Sequence, residues 1–236
     1  MPRQRSCFGG HGILVRPQAI GDRMLVRIRQ ELAEAAPLAV LVGASLGYGL
    51  TTMVSSALGQ NSNLSLQALM IGTLQIFGPV GVNLIWISRS APLRVGLAAR
   101  HRWHQMQRGE PPDAGGPRLW RELAAAAITA MLLLPYFVGS VLLAGVVATP
   151  RIDAAGQLSE LVGQISPADL VQTLLRTALF AVAAEALCLR KGRRLQSSLE
   201  ELPRLIADAI PECFLMVIAL EAAWITLIDP IHGIVR

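Results

Sequence analysis

The sequence predicts an all-α, polytopic membrane protein: five transmembrane helices preceded by an amphipathic interfacial helix. Three observations carry this reading. Hydrophobic types make up 53% of the 236 residues and charged types only 16%, with a mean hydropathy of +0.48. A soluble domain carries about 25% charged residues, so this chain has too little charge for a water-facing surface and enough apolar surface for a lipid-facing one. Second, five apolar stretches reach the roughly 20 helical residues needed to span hydrocarbon. Third, the basic residues alternate between successive connectors.

Residues 1–19 read as a basic tail. No apolar run there ends in a small-residue cleavage site, so no signal peptide is predicted. Over residues 20–35, Ile20, Met24, Leu25, Ile28 and Leu32 recur at helical spacing, while Arg23, Arg27, Arg29 and Gln30 occupy much of the remaining surface. That pattern suits a helix lying in the headgroup plane just before a span. Residues 36–229 hold the spans, at approximately 37–58, 66–88, 123–147, 170–189 and 205–228. The first is rich in Gly, Ser and Thr, and the last contains two carboxylates. The ten-residue alternating segments of a β-barrel are missing. A tail over 230–236 closes the chain.

Arginines and lysines set the orientation. Six lie before span one (Arg3, Arg5, Arg16, Arg23, Arg27, Arg29), seven in the connector 89–121 (Arg89, Arg94, Arg100, Arg102, Arg108, Arg118, Arg121), and five after span four (Arg190, Lys191, Arg193, Arg194, Arg204). Only Arg151, Arg176 and Arg236 of the 21 basic residues fall elsewhere. The N-terminus is thus expected in the cytoplasm and the C-terminus outside. The same distribution accounts for the net charge of +5 without nucleic acid.

Little in the sequence points to enzymatic chemistry. Cys7, Cys188 and Cys213 are scattered and read as small apolar filler. His101 and His104 can share a helical face, but no Cys or carboxylate cluster accompanies them, so neither a metal nor a cofactor is expected. The GxxxxGK[ST] phosphate loop is absent. What stands out is intramembrane charge, which is costly and usually has a purpose. Arg176 lies about two turns inside span four, seven residues after Asp169. Glu185 sits near its cytoplasmic end. Glu212 and Glu221 lie in span five, and the deeper Glu221 should face a cavity, a partner helix or a protonating environment. In span one, Gly43 and Gly47 form a small-xxx-small pair, equally suited to packing within the chain or to dimerisation. Gly78-Pro79 should interrupt span two, with Gln75 and Asn83 around the break. Pro135 marks a second kink candidate, in span three.

The order of these features resembles the MlaE/YrbE permeases, membrane subunits of ABC transporters that move lipids between membranes with MCE-domain proteins. The similarity runs over roughly residues 28–229. It rests on GTLQIFGPV at 72–80 with Arg89 ten residues after Pro79, on GPRLW at 116–120, and on Glu221 where such permeases often place an acidic residue. The family's L-x-R-E-L-G-P-V has Gln75-Ile76 here in place of Arg-Glu, its A-E-x-G acid corresponds to about Leu97, and the stretch 89–117 is shorter than usual.

The resemblance implies a transport subunit of the inner (plasma) membrane rather than an enzyme. Its partners would be a second permease copy or homologous permease, an ABC ATPase, an MCE-domain protein and phospholipid. It implies a lipid pocket and dimer interface drawn from Gly43, Gly47, Leu50, Met53, Gln75, Gly78, Pro79 and Glu221. It also implies ATPase coupling through Arg94, Arg100, Arg102, Trp103 and Met106 on a short basic helix over residues 93–106. Two alternatives stand beside it. One is a non-transporting scaffold or assembly subunit derived from such a permease. The other is a proton-coupled secondary carrier using Glu221, against which the odd number of spans counts.

Overall fold

A computed structural model of the chain describes residues 17–58, 71–109, 111, 117–149, 156, 159, 163, 165–195 and 198–227. The tail before Pro17, the first residues of predicted span two, most of the connector after span three and the C-terminal tail lie outside the described residues.

Among the described residues, five long helices stand out: α1 (Pro17–Leu58), α2 (Gly78–Gln107), α3 (Pro117–Ala148), α4 (Pro167–Gly192) and α5 (Leu202–Leu227). A π-helical turn, Thr73–Phe77, runs directly into α2, and a 3₁₀ turn, Leu199–Glu201, leads into α5. Among the described residues, four segments are long and apolar enough to cross a membrane: Met24–Val54, Leu119–Ala148, Pro167–Gly192 and Leu199–Leu227. Predicted span two corresponds to the π turn and the first part of α2.

Two sequence expectations change. The interfacial helix and span one are a single 42-residue helix that passes through Pro37 without a break. At 1.5 Å per residue it is about 63 Å long, more than a bilayer with its headgroups. A shared buried stripe explains the continuity. Ile28, Ala35, Ala39, Gly43, Gly47 and Thr51 all face inward, mostly at four-residue steps, while Pro37 sits on the exposed side. Likewise, the basic helix expected over 93–106 is the far end of α2, which continues past Pro92.

α1 packs mainly along α3. α2 lies against α4 and α5, α3 against α4, and α4 against α5. α3 is the most enclosed of the candidate spans, whereas α1 and α5 are flanking helices with broad exposed apolar faces. Side-chain size sets the α1–α3 spacing. A Cβ at Gly43 would collide with the Ser140 hydroxyl, and one at Gly47 with the Val141 carbonyl. Where Gly permits such close approach, backbones pack with little void. The core centres on Trp86, Phe137, Phe180, Leu133 and Val82, with Ala126, Ala130, Ala181 and Ala184 filling the gaps.

The ends of α4 show why it starts and stops where it does. Ser166 accepts a hydrogen bond from the Ala168 N–H, Pro167 opens the first turn, Asp169 lies in that turn, and Arg190 and Lys191 lie in the last. Each satisfies an end group or complements the helix dipole. Hydroxyls on exposed faces are satisfied locally. Ser45 donates to the Leu41 carbonyl and Thr226 to that of Ala222, so these polar groups can sit against hydrocarbon.

Candidate functional site: two buried charge clusters

The first cluster is built around the π turn. Pro79 has no N–H, so the Gln75 carbonyl four residues earlier lacks its helical donor. The Gly78 N–H bonds to the Thr73 carbonyl rather than to that of Leu74. Two successive carbonyls, Leu74 and Gln75, are therefore left over, and α4 supplies the missing donors. The Thr173 hydroxyl lies 3.2 Å from the Leu74 carbonyl and 2.7 Å from its own Asp169 carbonyl. Arg176 Nη1 donates to the Gln75 carbonyl at 2.7 Å. One turn on, Asn83 donates from Nδ2 to the Pro79 carbonyl at 2.7 Å and to the Thr177 carbonyl at 3.2 Å. Gly78 makes the tight turn possible, since a Cβ there would sit 2.8 Å from the Thr73 carbonyl oxygen.

Arg176 then turns to α5. Its Nη2 forms an ion pair with Glu221, and its guanidinium carbon lies 5.5 Å from the Trp224 ring centroid and 6.0 Å from that of Phe180. Both charged side chains are buried. In a low-dielectric interior, attraction within the pair offsets part of a large desolvation cost, and a nearby aromatic face adds to it. Glu221 thus faces a partner helix, one of the environments the sequence allowed. Arg176, however, reaches Glu221 rather than Asp169.

The second cluster lies toward the other end of the bundle. Arg94 of α2 bonds Glu31 of α1 at 2.6 Å, and its Nε lies 3.5 Å from Glu185 of α4. Arg27 also reaches Glu31, at 3.2 Å. Arg94 and Glu185 are both fully enclosed. Nearby, Lys191 of α4 pairs with Glu212 of α5. Gly192 lets α4 close on α2 here, since a Cβ would lie 2.6 Å from the Val95 carbonyl oxygen. Glu185 therefore reaches a basic neighbour, Arg94, away from solvent.

Of the residues singled out from sequence, the first cluster joins Gln75, Gly78, Pro79 and Glu221, while Gly43, Gly47, Leu50 and Met53 stand on α1. Gly43 and Gly47 are covered by α3, and Leu50 also packs toward the core. Gly78 and Pro79 are buried, whereas Met53 and the Gln75 side chain point outward. Of the coupling candidates, Arg94 is corrected. It is sealed inside the Glu31–Glu185 network and offers no docking surface. Arg100 is exposed, and Arg102, Trp103 and Met106 are half-buried on the end of α2.

Sequence reasoning missed the Arg176–Glu221 and Arg94–Glu185 partnerships. A signal for the first was available: opposite charges at similar depth from the same side of two antiparallel spans. Arg94 carried no such signal, because it sat among basic residues assigned to a loop.

Together, the apolar helices and the paired intramembrane charges define a multi-pass helical membrane protein. Within it, residues 117–227, comprising α3, α4 and α5, match the family model described as Permease MlaE. The matched segment contains Glu185, Glu221 and Arg176, whereas the GPV motif of α2 lies before it. No curated protein matches the chain.

Proposed function

We propose that this chain is the transmembrane permease subunit of an ABC-type lipid transport system. In this reading two permease chains pair in the inner membrane, separate ATPase subunits hydrolyse ATP, and an MCE-domain protein exchanges phospholipid with them. The match of residues 117–227 to the MlaE permease family carries the proposal, because members of that family are membrane subunits of lipid transporters. Five crossings are proposed, with the N-terminus in the cytoplasm, on the distribution of arginine and lysine.

The lipid cavity is proposed to form between chains. Its walls would be the exposed apolar faces of α1 and α5 with the outer end of α2, placing Met53 and Gln75 near Leu215 and Ile218. All four side chains are exposed in the single chain. Arg100, Arg102, Trp103 and Met106 would meet the ATPase. Because α2 runs unbroken from the π turn to these residues, movement at the ATPase could pass along it to the Arg176 cluster. A tagged chain should co-purify with an ATPase, a permease copy and phospholipid. Recovery of none of these would sink the reading.

A scaffold role is the second reading, and Gln75-Ile76 favours it by standing where related permeases carry Arg-Glu. That role predicts an assembled complex in which lipid transfer persists when the Arg176 cluster is disrupted. The carrier alternative loses ground, because Glu221 is held by Arg176.

A further inference from the structure

Cys188 and Cys213 are 25 residues apart in sequence and lie on different helices, yet their sulfurs are 3.6 Å apart. Both side chains are fully buried between α4 and α5. Cys213 Sγ also lies 3.8 Å from the Ala184 carbonyl oxygen of α4. Close by, Lys191 pairs with Glu212, the residue preceding Cys213. Farther along the same helix pair, Arg176 pairs with Glu221. Ion pairs on both sides of the thiols therefore hold α4 and α5 in register, and the two sulfurs stay opposite each other.

From this geometry we propose that Cys188 and Cys213 form a dithiol–disulfide site that cross-links α4 to α5 when a lipid-soluble hydroperoxide reaches it. A disulfide has an S–S length of about 2.05 Å, so the sulfurs must approach by about 1.5 Å. Rotation about the two Cα–Cβ bonds can supply a movement of that size. Burial shields the pair from water-borne oxidants, but an organic hydroperoxide partitions into the apolar phase around these helices. One sulfur attacks the terminal peroxide oxygen, giving a sulfenic acid and releasing an alcohol. The second thiol attacks the sulfenic sulfur and expels water. The balance is two thiols plus ROOH giving one disulfide, ROH and H₂O. The thiols are oxidised, the peroxide is reduced, and both thiol protons leave in the products. The bond would fix α4 against α5 within the permease domain.

The test uses full-length chain in phospholipid nanodiscs carrying Cys7→Ser, so that only these two thiols remain. The protein is treated with cumene hydroperoxide, denatured and labelled with a maleimide polymer. Labelling should fall from two adducts per chain to none, and dithiothreitol should restore both. Mass spectrometry should find a Cys188–Cys213 linked peptide. In Cys213→Ser, no linked peptide forms and Cys188 remains recoverable by reductant. Persistence of both labels after oxidation overturns the proposal, as does a loss of labelling that dithiothreitol cannot reverse. Neither readout depends on lipid transport, so the result stands apart from the proposed function.

Discussion

Arg176 touches three parts of the molecule at once: the Gln75 carbonyl of the π turn, Glu221 of α5, and the faces of Trp224 and Phe180. Removing one partner from such a buried pair leaves the other charge uncompensated, at a cost of about 3–5 kcal/mol. Glu221→Gln should therefore lower the thermal unfolding midpoint of the detergent-solubilised protein markedly. The double variant Arg176→Met/Glu221→Leu should be more stable than Glu221→Gln, because no buried charge is left alone. If the double variant is the less stable of the two, the pair is not what stabilises this contact. Arg94 follows the same logic with two carboxylates. Arg94→Met leaves Glu31 with Arg27 alone and removes the cation beside Glu185, and should destabilise the fold more than loss of the half-exposed Arg27.

At the scale of elements, α1 is held by a stripe of small residues against α3 rather than by large interlocking side chains. Gly47→Ala should push the helices apart, costing about 1–3 kcal/mol as an overpacked contact, since the new Cβ meets backbone at Val141. Gly49→Ala is the matched control. Its Cβ meets nothing within 4 Å, and it should be neutral or stabilising by up to about 1 kcal/mol through helix propensity. Thermal unfolding of both variants in the same detergent checks the contrast. Pro79→Ala acts on α2 differently. It restores an N–H that can bond the Gln75 carbonyl, so the π turn can relax toward regular α-helix and Arg176 loses an acceptor. Hydrogen exchange at Thr73–Phe77 should slow as the turn becomes regular, and an unchanged pattern there would mean that Pro79 does not set it.

For the whole molecule, the question is how the two ends of the bundle communicate. α2 contributes to both charge clusters and ends in the exposed basic segment. Charge reversal of Arg100 and Arg102 should abolish association with an ATPase while leaving the stability within about 0.5 kcal/mol of wild type, as for most surface changes. Arg94→Glu should instead destabilise the chain itself, since it places three carboxylates together. A pull-down run beside a melting curve separates a docking residue from an internal one. If the Arg100 and Arg102 reversals leave ATPase binding intact, the coupling role of this segment fails.

Composition and hydropathy were enough to determine an all-helical membrane chain, because lipid imposes the same length and polarity on any span that crosses it. The small residues of α1, the break at Gly78-Pro79 and the intramembrane carboxylates were also legible, since each violates the apolar pattern where it occurs. Sequence did not show that α1 is continuous through Pro37. One proline on an exposed face leaves a helix intact when the buried stripe on the other face continues past it. Nor did it show which opposite charges meet. Arg94 read as one more loop arginine, and Cys188 and Cys213 as scattered filler. Partnership depends on how antiparallel helices rotate and slide against each other, and side-chain size along the contact sets that. Only the packed structure decided that Arg176 holds both the open Gln75 carbonyl of the π turn and the carboxylate of α5.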